Sequence, residues 1–262
     1  MFSFPHLRFF WIIVLVFAML AALSDQKSSL AVDNTALRVG VENYYPPFSF
    51  PDENGHPAGF DPAIAETLCR AMERTCEIQA LPFDQLLNAI REGKLDLVVA
   101  GLAASEERKK YMDFSESYYH SRTIYIGRPG SEASQTWMKG KRIGAQTSTQ
   151  QAVIAAKLWG DIAEIVLNKN YADMLTELSE GKLDIVISDG LPGYEFLRSE
   201  RGEEFIMIEV DLPLDEELNS AHIGIRKNEP DLLKAVNKAI QDVKLNGEYD
   251  RVARRYFPFS IY

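Results

Sequence analysis

The hydrophobic positions change period along the chain in a regular way. LRVGV at 37–41 reads as a strand. Ile64, Leu68 and Met72 then recur every four residues and predict one face of a helix. Asp61 reads as its N-cap and Pro62 as its first helical position. A strand is expected near 76–80. Leu86, Leu87 and Ile90 mark a second helix, with Asp84 read as N-cap and Gly93 as the stop. Residues 95–100 form an apolar run suited to a buried strand. This half of the chain reads β-α-β-α-β.

The pattern then starts again. FDQLLNAIREGKLDLVVAG at 83–101 lies beside YADMLTELSEGKLDIVISD at 171–189 without a gap, and both contain EGKLD. Upstream of the second copy, RIGAQ at 142–146 is a strand, and Ser148-Thr149-Gln150 opens a helix running to about Trp159. A strand near 163–167 follows, then a helix built on Met174, Leu175 and Leu178 and stopped at Gly181, then a strand at 183–187. EGKLD is thus helix exit and strand entry, not a catalytic motif. Past residue 219 come one more strand around Ile223–Ile225, a helix over 230–245 and a last short helix over 247–256. Two β-α-β-α-β halves predict two α/β lobes, each with a parallel sheet covered by helices. A C-terminal segment that returns to the first lobe makes two crossovers, which suits hinged closure.

Composition narrows the class. The chain has 262 residues, 46% of them hydrophobic and 25% charged, as in an ordinary globular protein. Its net charge of −10, with no basic patch interleaved with aromatics, argues against nucleic acid as a partner. Arg8 followed by the charge-free run 9–23 reads as a secretory signal, with an uncleaved anchor as the lesser reading because a spanning helix needs about 20 apolar residues. Ser29 and Ala31 place cleavage after Ala31, with 22–24 as a second option, so that 1–31 is the signal peptide. An exported chain with two cysteines, Cys69 and Cys76, points to a disulfide contributing roughly 2–3 kcal/mol; two free thiols is the alternative. The sequence has no Ser/His/Asp set, no HExxH, no phosphate-cradling loop and no Cys/His metal spacing, and its four histidines are scattered. No catalytic residue, metal or cofactor is therefore expected.

Ligands of open α/β sheets bind beyond the carboxyl ends of the strands. That rule selects 42–45 and 100–103 with Arg108 from the first half, and 146–150 with Ser188-Asp189 from the second. Arg108 suits a carboxylate in a two-pronged geometry, and the N–H groups at Ser148-Thr149 favour the same anion. Asp189 and Glu42 can each hold a cation, beside flat walls from Tyr45 and Phe83. Each has a plainer reading: Arg108 as a solvated helix charge, Thr149 and Asp189 as caps, Tyr45 as loop packing. Their shared place at strand ends favours a site.

The stretches LRVGVENYYPPF, GHPAGFDPAIAETLCRAM, GKLDLVVAGLAASEERKKYMDFSESYY, RIGAQTSTQ and GEYDRVARRYFPF resemble family 3 of the bacterial solute-binding proteins. The resemblance runs from about 37 to 262 and is strongest to the lysine/arginine/ornithine- and histidine-binding type. It implies an α/β, two-lobed periplasmic-binding-protein fold of type II, with two parallel-rich sheets flanked by helices and a two-stranded hinge. The lobes are then 32–120 plus 221–262 and 121–220, with hinges near 120–124 and 215–222. It implies a periplasmic monomer that captures an amino acid for the membrane permease of an ABC transporter. Arg108 and the Thr149 N–H would take the α-carboxylate, with Ser148 beside them, and Asp189 the α-ammonium. Tyr45, Phe83 and Glu42 would face the side chain, Gly101 and Ala103 would line the head-group end, and Cys69 would pair with Cys76. Two departures stand out. Ala103 replaces a Ser or Thr, and Ala100-Gly101 replaces hydroxyl residues of the basic-amino-acid binders, each lost bond weakening binding by about 0.5–1.5 kcal/mol. Two rivals remain: an enzyme on this scaffold resembling cyclohexadienyl dehydratase, for which Glu42 is the one obvious acid, and a sensor that signals to a partner protein.

Overall fold

The computed structural model describes residues 36–208 and 219–262. The signal segment 1–31 with its cleavage site, and residues 215–218 of the expected second hinge, lie outside the described residues.

Strands β1 (Leu37–Glu42), β2 (Phe50–Pro51), β3 (Pro57–Ala58), β4 (Cys76–Leu81), β5 (Leu97–Leu102) and β6 (Met112–His120) precede β7 (Thr123–Gly127), β8 (Arg142–Gln146) and β9 (Glu164–Asn168). β10 (Ile185–Asp189), β11 (Ile206–Ile208) and β12 (Ser220–Arg226) follow. The helices are α1 (Phe60–Ala71), α2 (Phe83–Arg91), α3 (Glu106–Lys109), α4 (Gln135–Met138), α5 (Gln150–Trp159), α6 (Tyr171–Ser179), α7 (Gly190–Arg198), α8 (Pro230–Leu245) and α9 (Glu248–Ala253). One five-stranded sheet has the order β4-β1-β5-β12-β6 and the other β11-β7-β10-β8-β9.

The sheets are mixed, each a parallel set of strands interrupted by one reversed strand, in keeping with the parallel-rich expectation. β4, β1 and β5 pair in parallel, but β12 runs antiparallel to both β5 and β6. In the second sheet β9, β8 and β10 are parallel and β7 is reversed. The reversed strand in each sheet is the one that arrives from the other sheet. The first crossing is at 121–122, where the Ser121 N–H donates to the Asn219 carbonyl at 3.0 Å. The expected return of the C-terminal segment is observed: β12 joins the first sheet, and α8 packs on it through Val236, Ala239, Ile240 and Val243.

EGKLD performs the same structural task in both copies. Gly93 and Gly181 take left-handed φ values of 69° and 72° and end α2 and α6. Leu95 and Leu183 then lie on the backbones of Gly40 and Gly144, where a Cβ would come within 2.6 and 2.5 Å of them. Asp96 accepts the Arg38 backbone N–H at 2.9 Å and its Nη2 at 2.8 Å; Asp184 accepts the Arg142 N–H at 2.8 Å and its Nε at 3.1 Å. Because Leu95-Asp96 and Leu183-Asp184 are spent on this junction, the strands begin two residues later than expected.

Two cap assignments are also corrected. α1 starts at Phe60 with Gly59 at the N-cap, and Asp61 is buried in the first turn, accepting the Tyr118 hydroxyl at 2.9 Å. α2 starts at Phe83 after Pro82, and Asp84 accepts the neighbouring Gln85 N–H instead. Pro82 has no N–H and a fixed φ, so the chain turns into the helix two residues before an Asp84 cap would allow. The last helix is shorter than 247–256. Each sheet has a core on both faces: Leu86, Ile90 and Val98 under α2, Ile64, Leu68 and Ile223 under α1, Met174 and Val186 under α6, and Trp159 and Ile143 under α5. Cys69 and Cys76 form a disulfide from α1 to β4, with Cα atoms 6.2 Å apart.

Candidate functional site

The carboxyl ends of β1, β5, β8 and β10 converge on one cleft between the sheets, enclosing about 530 Å³ of non-atom space including its mouth. Eight of the nine expected ligand residues line it: Glu42, Tyr45, Phe83, Gly101, Ala103, Arg108, Thr149 and Asp189. Ser148 does not; its carbonyl takes part instead by accepting from Arg108.

Arg108 is not a solvated helix charge. Its residue is 4% exposed; Nη1 donates to the Ala103 carbonyl at 3.0 Å and Nη2 to the Ser148 carbonyl at 2.9 Å. The guanidinium carbon sits 5.5 Å from the Phe83 ring centroid. Burial pulls its pKa down to about 10, so it remains cationic at neutral pH. Among the described residues no carboxylate forms an ion pair with it. A buried guanidinium without a counter-ion is costly, and an anion entering the cleft removes that cost.

The helix start opposite it is partly satisfied. Thr149 caps α5, its Oγ1 accepting the Ala152 N–H at 3.2 Å and donating to the Gln146 carbonyl at 2.7 Å. The Thr149 N–H reaches that same carbonyl only at 3.4 Å, a long bond that an anion can replace. Ser148 precedes it with φ of 66°, a left-handed conformation that turns the chain into the helix.

Asp189 is both cap and cleft carboxylate. It ends β10 and caps α7, accepting the Leu191 N–H at 3.0 Å and the Ser121 hydroxyl. Burial pushes its pKa up to about 6, against the opposing pull of those two hydrogen bonds. Glu42, the last residue of β1, is buried and accepts from Gln146 Nε2 at 2.5 Å. Burial drives it up to about 8, with the Gln146 bond opposing, so at neutral pH the carboxyl is mainly protonated. The Tyr45 ring meets Tyr171, the first residue of α6 on the opposite wall, edge-on at 4.9 Å. Arg108 to Ser148, Glu42 to Gln146 and Tyr45 to Tyr171 all run from one wall of the cleft to the other, so the cleft is closed.

Strand-end reasoning selected Gln146 as part of a range but missed Tyr119 and Ser121. Both come from the β6 segment and its exit, which the hydrophobic pattern did not reveal as a strand. β6 pairs with β12 through two register irregularities, so its apolar positions do not alternate cleanly. Among the described residues no group of three or more His, Cys, Asp or Glu side chains gathers as a metal site.

Two mixed sheets closing on a cleft, with a buried cation that lacks an ion pair on one side and a half-buried carboxylate on the other, define a two-lobed solute clamp. The sequence pattern described as bacterial extracellular solute-binding proteins, family 3, matches residues 37–259, and the chain belongs to that family. It is similar to the lysine/arginine/ornithine-binding periplasmic protein of Escherichia coli (strain K12), with 28% identity over 254 residues, 95% of this chain and 98% of that one. Among solved structures it is similar to an ancestral arginine-binding protein bound to arginine, with a TM-score of 0.78 and 29% identity, covering 85% of this chain and 98% of that one. It is also similar to an ancestral amino acid-binding protein that is a precursor of cyclohexadienyl dehydratase, with a TM-score of 0.74 and 26% identity, covering 85% and 95%.

Proposed function

We propose that the protein is the periplasmic solute-binding component of an ABC transporter, and that it captures an amino acid, or a close derivative, by lobe closure. Arg108, with the Thr149 N–H, takes the α-carboxylate and Asp189 takes the α-ammonium. Residues 32–120 with 221–262 act as one lobe and 121–220 as the other, swinging about 120–124 and 215–222. After loss of 1–31 the monomer hands its ligand to a membrane permease. The observation that carries this reading is the buried Arg108 guanidinium without an ion-pair partner, facing a cleft whose other wall presents Asp189. A zwitterion satisfies both at once, and because the two groups sit on opposite walls of the cleft, ligand favours the closed state.

Glu42 separates the ligand classes. A cationic side chain beside it requires the carboxyl to ionise, so binding near pH 7 releases a proton, whereas a neutral amide releases none. Calorimetry of unfolded-and-refolded protein against arginine, lysine, ornithine, histidine and glutamine, in buffers of different ionisation enthalpy, tests both points. Absence of heat from all five at millimolar concentration overturns the amino-acid reading.

A second reading, an enzyme on the same scaffold, draws on the similarity to a dehydratase precursor and on Glu42 held protonated in the cleft wall, the state a general acid needs. Turnover of prephenate, lost in Glu42→Gln, decides for it.

A further inference from the structure

The first-sheet wall of the cleft contains a polar group that the site described above leaves unused. Tyr119 lies near the end of β6, is 1% exposed and lines the cleft beside Gly101, yet its hydroxyl has no hydrogen-bond partner among the described residues. Neighbouring Tyr118 shows the contrast: its hydroxyl receives the Gly101 N–H at 3.0 Å and donates to Asp61 at 2.9 Å. Buried hydroxyls without a partner are rare and costly, and one that faces a ligand cavity is satisfied when the ligand arrives.

The Tyr119 hydroxyl is also held in position. Its ring stacks on Phe48 at 4.8 Å and meets Tyr118 edge-on at 4.8 Å, which leaves the phenol no alternative direction. Its oxygen lies 2.4 Å from where a Cβ on Gly101 would stand, so any side chain at 101 would displace it. Glycine at 101, with φ of 59°, therefore opens the path by which the phenol reaches the cleft. Ala103 on the same wall carries no hydroxyl. Burial first, then the nearby Tyr118, Asp189 and Asp61, hold the phenol neutral, with an oxygen free to accept.

We propose that Tyr119 is a ligand-binding residue of this cleft, its phenol oxygen accepting a hydrogen bond from a cationic N–H donor of the bound amino acid beside Asp189. The inference rests on the amino-acid reading and adds to it a polar contact from the first sheet.

Tyr119→Phe separates this role from a structural one, because the two predict opposite signs. Removing an unpartnered buried hydroxyl leaves the melting temperature of the ligand-free protein unchanged or higher. Removing a ligand acceptor raises Kd by about tenfold and shrinks the ligand-induced rise in melting temperature. The measurement is calorimetry and thermal unfolding of refolded wild type and variant with L-arginine, lysine, ornithine, histidine and glutamine in turn. A Kd within twofold of wild type for the amino acid bound best overturns the proposal. So does a fall in ligand-free melting temperature alongside the affinity, which marks Tyr119 as structural. If wild type binds none of the five, the amino-acid reading itself fails and this inference with it.

Discussion

Replacing Arg108 by Met tests the anion site most directly. Met keeps a long apolar stem at a buried position and removes only the charge and the planar fork of donors. In the ligand complex, two charge-assisted bonds to a carboxylate contribute roughly 1.5–3 kcal/mol each. Their loss is about 3–6 kcal/mol, or about two to four powers of ten in Kd. Stability of the empty protein is a poor reporter, since two effects oppose. The variant loses the desolvation cost of a buried guanidinium, but it also strips donors from the Ala103 and Ser148 carbonyls, at about 1–3 kcal/mol each. The useful quantity is the ligand-induced stabilisation. A wild type at one hundred times Kd gains about 2.7 kcal/mol, a rise of roughly 5–10 °C for a domain of this size. Arg108→Met should show no such rise, and Arg108→Lys, which keeps the charge without the fork, should show part of it. Affinity of Arg108→Met within tenfold of wild type refutes the assignment of the anion site.

Two further outcomes are expected. Burial pushes the Asp189 pKa up to about 6. Affinity for a zwitterion should therefore fall up to tenfold for each pH unit below that value, while the empty protein gains stability over the same range, because the folded state holds this proton more tightly than the unfolded chain. Parallel falls in affinity and stability would contradict the assignment. Cys69→Ser with Cys76→Ser should cost about 2.5 kcal/mol in urea unfolding and leave ligand affinity within twofold, since neither cysteine lines the cleft; unchanged stability would show that the bridge contributes nothing.

The repeat made most of the architecture legible. Helical and strand periods, the glycine stops and the doubled EGKLD place the main sheet strands and the long helices to within about two residues. What escaped was information carried by contacts distant in sequence. β6 is held by β12, more than a hundred residues away, and its bulged register hides any two-residue alternation. Tyr119 and Ser121 were lost with it. Asp61 and Asp84 looked like caps because Asp is a good one, but Gly59 and Pro82 start the helices and Tyr118 claims Asp61. The strand-end rule did better at the cleft, because it depends on connectivity alone. Even there, that Arg108 is buried without an ion pair, while Glu42 is matched by Gln146, is a property of packing that no local pattern carries.

The two EGKLD copies provide a test in which similar chemistry sits in unequal surroundings. Asp96 binds the Arg38 backbone and guanidinium and also lies 3.3 Å from Arg226 Nη1, with its side chain 10% exposed. Asp184 binds Arg142 in the same way, but no second arginine pairs with it among the described residues and its side chain is 29% exposed. Removing either carboxylate strands a strand-start N–H and an arginine. Greater water access, and the lack of a second pairing arginine among the described residues, make the loss smaller at 184. Asp96→Ala should cost about 2–4 kcal/mol and Asp184→Ala about 1–2 kcal/mol in urea unfolding at pH 7. Burial raises the Asp96 pKa, but the Arg38 bonds outweigh it and hold the group below its ordinary value. Its stabilisation is therefore complete above the unfolded carboxylate range, near about 3.9, and is lost as pH falls through the folded value. The gap between wild type and Asp96→Ala should then close on acidification. If Asp184→Ala proves the more damaging, or if the Asp96 gap persists unchanged at pH of about 2, the two carboxylates are not the paired junction locks that the repeat implies.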